Sequence, residues 1–244
     1  MSEPGSLLRS LSGRSTARNF HSHVINEIGA GVISGRYAIG SVLPNDAELM
    51  VDFEVSRTVL REALKTLEAK GLLEARPKVG TKVSQRNRWN LYDPQVLAWH
   101  LEAPADEEFL TGMQEVRRAL EPLAAGQAAK RRSADQIRLM LYWIRQMETS
   151  LSSAQNFVLA DFELHRIIAD AAHNPFLRAL YGVIELSHAF AYQRLVRQPD
   201  EEALLPFLDK HRALVTRIEY GDEAGARDAM LDTIAHDCAM ALLL

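Results

Sequence analysis

Apolar positions recur every three to four residues along most of this chain, and a shorter period interrupts them only between residues 72 and 83. Over roughly 18–34, Phe20, Val24, Ile25, Ile28, Val32 and Ile33 fall on one face of a predicted helix that stops at Gly35. After a turn through Gly40, Pro44-Asn45-Asp46 caps a short helix carrying Ala47, Leu49, Met50 and Phe53. A tight break at Glu54-Val55 leads to Ser56, a good N-cap, and a third helix runs to about Lys70 before Gly71 ends it. Leu72–Arg76 and Thr81–Val83 flank Pro77-Lys78-Val79-Gly80 and predict a β-hairpin. Three helices followed by a small hairpin is the order of a winged helix-turn-helix.

A polar, aromatic-tipped segment, Gln85-Arg86-Asn87-Arg88-Trp89-Asn90, separates this part from the rest. Beyond it helical periodicity dominates, as in Ile137, Met140, Leu141, Ile144, Met147 and Leu151, with breakers near 103–106, 149–155, 173–175, 198–206 and 221–222. The expectation is a mostly α protein in which six or seven helices form one antiparallel bundle after the winged helix-turn-helix. The domains are a flexible tail over 1–17, a DNA-binding domain over 18–84, a linker over 85–104, and a sensing and dimerisation domain over 105–244.

With 244 residues, 47% apolar and 25% charged, the chain has room for two cores. No apolar run approaches the ~20 residues that span a bilayer, and the start lacks a secretory signal. The single Cys238 excludes an internal disulfide framework, so a cytoplasmic protein without a membrane partner is expected. Net charge is −4, but it is unevenly spread. Residues 1–90 carry 13 Lys and Arg against 9 Asp and Glu, a net +4, and the remainder carries 15 against 23, a net −8. One half can approach phosphate while the other repels it.

On the third helix Val59, Leu60, Ala63, Leu64 and Leu67 form an apolar stripe, while Arg57, Arg61 and Lys65 form a basic one at i, i+4, i+8. Ser56 and Thr58 begin this helix, where a recognition helix presents side chains to base edges. Arginine suits that role because its planar fork can bond both O6 and N7 of guanine. Lys78, Gly80 and Lys82 would form the wing, with the lysines neutralising phosphate. The competing explanation is that these cations only solvate an exposed face.

The runs Leu43-Pro44-Asn45-Asp46-Ala47-Glu48-Leu49, Val55-Ser56-Arg57-Thr58-Val59-Leu60-Arg61-Glu62-Ala63-Leu64, Leu67-Glu68-Ala69-Lys70-Gly71-Leu72 and Gly80-Thr81-Lys82-Val83 resemble the signature of the GntR superfamily of transcription regulators. The resemblance implies that Arg57 and Arg61 contact an operator in double-stranded DNA, with Gly80 nearby in the wing. Many members carry a basic residue where this chain has Ala47, so one family contact is missing or supplied elsewhere.

The C-terminal half resembles the FadR-type (FCD) domain of that superfamily through Glu115-Val116-Arg117 with Glu121-Pro122, Asp161 with His165, Asn174-Pro175, and His211 before Gly221-Asp222. Many such domains hold a divalent metal through one Asp and three His and bind small carboxylates against it. Asp161 and His165 share a helix face at i, i+4, and His211 sits beside Leu214, Val215 and Ile218. A histidine bonded to backbone or to Asp161 is the alternative for each. Family spacing puts the last ligand at Thr233, which leaves His236, one turn further on, as the fourth candidate. Zinc, nickel or manganese would suit such a set. His188 is a further cavity candidate, with helix packing as the favoured explanation. Arg117 is the candidate grip for an effector carboxylate, against an ion pair with its i+4 neighbour Glu121. Trp143, Tyr181, Tyr192 and Arg194 are candidates to line or rim a pocket.

The stretch from Arg86 through Trp89, Asp93, Val96, Leu97 and Trp99 resembles repressors of sugar-acid (galactonate-type) catabolism, a group that also tends to lack the last metal histidine. These resemblances imply a homodimer on a palindromic operator, with repression released by a small carboxylate such as a sugar acid; activation stays open. Two rivals remain. One is a metal-dependent hydrolase using Asp161, His165 and His211, with Glu163 or Asp170 as base, and the other is a DNA-binding protein without an effector.

Overall fold

The computed structural model describes residues 20–104, 106–197 and 201–241, without the side chains of 201, 203 and 236–241. The expected tail at 1–17 lies outside the described residues. The chain divides into two compact units, one running to Ala105 and the other starting at Asp106.

In the first unit, α1 (Phe20–Ile33), α2 (Asp46–Asp52) and α3 (Arg57–Ala69) are followed by β1 (Leu73–Arg76) and β2 (Gly80–Val83). Local chemistry explains the starts. Asn45 accepts from the Ala47 and Glu48 amides while the Glu48 side chain accepts from the Asn45 amide, a reciprocal capping box. Ser56 Oγ accepts from the Val59 amide and opens α3. The hairpin is antiparallel, pairing Leu73 with Val83 and Arg76 with Gly80. A short segment missed by the alternation adds to it: Val42 bridges Lys82, and the Leu43 amide donates to the Thr81 carbonyl at 2.9 Å. Two apolar residues are too few to show a strand period.

α1 packs on α3 through Val24, Ile28, Leu60, Ala63 and Leu67. Phe20, placed on that apolar face by periodicity, is instead 66% exposed. The segment taken as a linker folds onto this core. It forms a short 3-10 turn over Arg86–Arg88 and α4 (Pro94–Glu102), started by Asp93. Trp89, Val96 and Trp99 join the same core cluster, and Trp99 Nε1 donates to Asn26 Oδ1 at 3.3 Å. α1 admits the indole because Gly29 has no Cβ to collide with the ring.

Gly71 ties these parts together. It sits at φ +78°, and a Cβ there would collide with the Arg88 carbonyl oxygen. Replacing Gly71 with alanine combines left-handed strain with a backbone clash. It is expected to cost about 2 kcal/mol or more, read as a lower urea midpoint. An unchanged midpoint would show that the Arg86–Arg88 turn moves aside freely.

The second unit is the helical bundle: α5 (Glu107–Arg131), α6 (Ala134–Thr149), α7 (Ala154–Ala171), the single turn α8 (Pro175–Arg178), α9 (Tyr181–Arg197), α10 (Glu201–Tyr220) and α11 (Glu223–Ala241). The break between α5 and α6 was not among the expected breakers. It is marked by a capping box in which Ser133 and Gln136 exchange bonds. α7 is buried along most of its length and packs against α5, α6 and α9, which makes it the natural carrier of an internal site.

Candidate functional site

Two sites emerge, one in each unit. On α3 the apolar stripe Leu60, Ala63, Leu64 and Leu67 is buried, whereas Ser56, Arg57, Thr58, Arg61 and Lys65 are all exposed. Lys65 is tied to Glu62 at 2.9 Å, so the two arginines form the freer part of the stripe. Asn45 and Ser56 fix the starts of α2 and α3, and that holds the basic face on a rigid element. At the hairpin tip Lys78 and Gly80 are exposed, both at positive φ. The tip is a tight turn, closed by the Val79 amide donating to the Arg76 carbonyl at 3.1 Å.

The second site is buried in the bundle. Asp161 and His165 come from α7, His188 from α9 and His211 from α10, and all four are buried. Asp161 Oδ1 lies 2.8 Å from His211 Nε2 and 3.6 Å from His165 Nε2, while its Oδ2 lies 3.0 Å from His188 Nε2. The Nε2 atoms of His165 and His211 are 3.4 Å apart.

The opposite edges of the three rings show which nitrogens carry protons. His188 Nδ1 donates to the Ile184 carbonyl at 2.7 Å, and His211 Nδ1 donates to the Phe207 carbonyl at 2.9 Å. His165 Nδ1 lies 2.5 Å from Glu121 Oε2. Carbonyls and carboxylates only accept, so each neutral ring carries its proton on Nδ1 and turns the Nε2 lone pair inward. Three lone pairs and a carboxylate then converge, and Asp161 Oδ1 has no hydrogen-bond donor. Asp161, His165 and His188 offer donor atoms within 4.8 Å of one another, a nitrogen and oxygen set that suits a divalent metal, whereas without a cation protonated imidazoles would hold the carboxylate. Burial alone would raise the Asp161 carboxyl, but His211 and His188, where they are protonated, overcome it and hold the group well below the usual carboxylate range.

Arg117, on α5, is only 1% exposed. Its Nε is ion-paired with Glu121, and its guanidinium donates to Ser187 Oγ at 2.6 Å. Burial would also raise the Glu121 carboxyl, yet Arg117 and His165 pull it down to about 2. Arg117, Asp161, Ser187 and His188 share the wall of a small pocket whose other lining is mostly apolar, with Phe157, Val158 and Phe207 among it. Of the alternatives weighed for Arg117, the ion pair with Glu121 is the one that forms, and the side chain also reaches the pocket wall.

The structure therefore brings Asp161, His165 and His211 together and adds His188 to them. His188 has no short-range spacing to the others, so its sequence carried no signal beyond being a histidine. His236 belongs to α11, but its side chain lies outside the described residues. Thr233 is buried, with its hydroxyl donating to the Ala229 carbonyl of its own helix. None of Trp143, Tyr181, Tyr192 and Arg194 lines the cavity. Tyr181 instead bonds Asp170, and burial together with that carboxylate pushes its phenol up.

A winged helix-turn-helix with an exposed arginine stripe, followed by a helical domain that holds a buried Asp and His cluster, defines a DNA-binding transcription regulator. The chain belongs to the GntR family of bacterial regulatory proteins, in its FCD-domain branch: the gntR-family pattern matches residues 20–83 and the FCD domain matches 113–236. The galactonate operon transcriptional repressor of Escherichia coli is 32% identical over 212 residues, which are 87% of this chain and 92% of that protein. The HTH-type transcriptional repressor NanR of Salmonella newport is 29% identical over 185 residues, 73% of this chain and 68% of that one. Among solved structures, that of Lar, which controls the expression of the Listeria monocytogenes agr system, has a TM-score of 0.66. It covers 94% of this chain and 100% of that chain at 16% identity, a likeness of fold alone. These relatives are regulators, and the hydrolase alternative finds no counterpart in them.

Proposed function

We propose that this chain is a homodimeric cytoplasmic repressor that reads a palindromic operator and leaves it when a small carboxylate, such as a sugar acid, fills the cavity of the bundle. The observation that carries this reading is the buried Arg117 guanidinium on the cavity wall beside the Asp161 and His188 cluster. Arginine can bind a carboxylate through two parallel bonds, and Arg117, although paired with Glu121, stands where an anion in the pocket could share it. Asp161, His165, His188 and His211 would hold zinc, nickel or manganese, which would supply positive charge next to the same cavity. With the three imidazoles neutral, as metal ligands must be, Asp161 and Glu121 against Arg117 carry one net negative charge. A divalent cation and a monocarboxylate together would bring it to neutrality, so the two ligands suit one another.

On the DNA side, Arg57, Arg61 and Lys65, with Ser56 and Thr58, would meet bases and phosphates, and Lys78 and Gly80 would place the wing. Two-fold symmetry of a dimer implies a two-fold operator. The name of the Escherichia coli relative, a galactonate operon repressor, favours sugar acids as the effector class. No helix among the described residues is long and apolar enough to cross a membrane. The effector acts only if it binds one pose of the protein more tightly than the other.

The test is a titration of the protein, bound to an operator recovered by binding selection, with sugar acids and other carboxylates, with and without divalent metal. Release by one carboxylate, strengthened by metal, is expected. An operator complex indifferent to every carboxylate would leave the effector-free alternative standing.

A further inference from the structure

The three imidazoles of the buried cluster are not oriented in the same way. His188 and His211 each donate Nδ1 to the carbonyl four residues earlier on their own helix, through bonds that follow from the helix itself. His165 donates instead to a side chain, Glu121 of α5, 44 positions away in the chain. The other oxygen of that carboxylate holds Arg117, the cation on the cavity wall. One carboxylate therefore grips an imidazole with one oxygen and the cavity guanidinium with the other.

We infer that Glu121 is the positioning residue of the metal centre: it fixes the His165 tautomer, turns the Nε2 lone pair toward Asp161, and ties that ring to Arg117. The inference rests on the metal-centre reading above. A carboxylate bound to the far nitrogen of a ligating histidine locks the ring and raises its basicity, and losing such a partner typically weakens metal binding 10- to 100-fold. His188 and His211 need no such partner, since their own helices hold them. His165 has no helix carbonyl in that role, so its presentation depends on Glu121.

Glu121→Gln keeps the shape and one acceptor oxygen but removes the charge. It also leaves the Arg117 charge buried without its partner, which endangers folding. The double variant Arg117→Met/Glu121→Gln removes both charges and serves as the second probe. Zinc, nickel and manganese affinities are measured in turn by competition with a chromogenic chelator, and imidazole tautomers by nitrogen-15 NMR on the metal-free protein.

The expected result is a roughly 10- to 100-fold loss of affinity in whichever variant folds, with the His165 signals shifting and those of His188 and His211 keeping their Nδ1-protonated pattern. A purely structural role would lower the melting temperature and leave metal affinity and the His165 tautomer unchanged, and that outcome overturns the inference. Wild-type protein that binds none of the three metals overturns the metal-centre reading and this inference with it. Wild-type binding matched by the variants overturns this inference alone.

Discussion

Replacing both Arg57 and Arg61 with alanine is expected to abolish specific operator binding while the protein stays folded. Both side chains are exposed on α3, away from the buried stripe of Leu60, Ala63, Leu64 and Leu67. Their loss should change stability by no more than about 0.5 kcal/mol, as for surface substitutions in general. An arginine bonded to a guanine edge is worth about 1–3 kcal/mol, so losing two should weaken operator binding by roughly a hundredfold or more. Fluorescence anisotropy on operator and scrambled DNA separates the outcomes. If the arginines touch only phosphate, both DNAs lose affinity alike and the salt dependence flattens. If affinity for both DNAs is unchanged, α3 is not the recognition helix. Lys65→Ala should matter less, since that cation is shared with Glu62 at 2.9 Å.

Divalent metal is expected to raise the melting temperature of the wild-type protein by about 5–10 °C over chelator-treated protein. Free metal at a hundred times its dissociation constant stabilises the folded state by about 2.7 kcal/mol, and 1 kcal/mol is worth about 2–4 °C in a protein of this size. Asp161→Asn should remove most of that increment. The carboxylate stands within 2.8–3.6 Å of the Nε2 atoms of His165, His188 and His211, and an amide keeps its shape without its charge. Melting curves with and without chelator, for wild type and variant, make the comparison. A wild-type curve that ignores both metal and chelator would mean that the cluster is held together by protonated imidazoles instead. The second probe is His188→Ala. If His188 is the fourth donor, this variant should lose much of the metal-dependent increment, whereas a helix-packing role would lower both curves equally.

How much of this was legible in the sequence depended on the range over which each feature is determined. The starts of α2 and α3 followed from Asn45 and Ser56, because a cap and its amides lie within three residues. The two faces of α3 followed from helical period, and so did the pairing of Asp161 with His165 one turn apart on α7. The hairpin was visible as two short runs about a turn. Phe20 escaped because periodicity names a face and does not say how far along that face the core extends.

The features that stayed hidden join residues far apart in the chain. Trp99 reaches Asn26 across 73 positions, which makes the supposed linker part of the DNA-binding unit. His165 meets His211 across 46 positions and Glu121 across 44. His188 enters through α9 with no motif to announce it. What the sequence by itself determined was the elements, their caps, and the polar or apolar character of each face, all set by neighbours within one or two turns. What only the tertiary structure decided was which faces meet: three helices bring three imidazoles around one carboxylate, and a fourth supplies Glu121 to orient one of them. Packing selects those partners, and no local period encodes it.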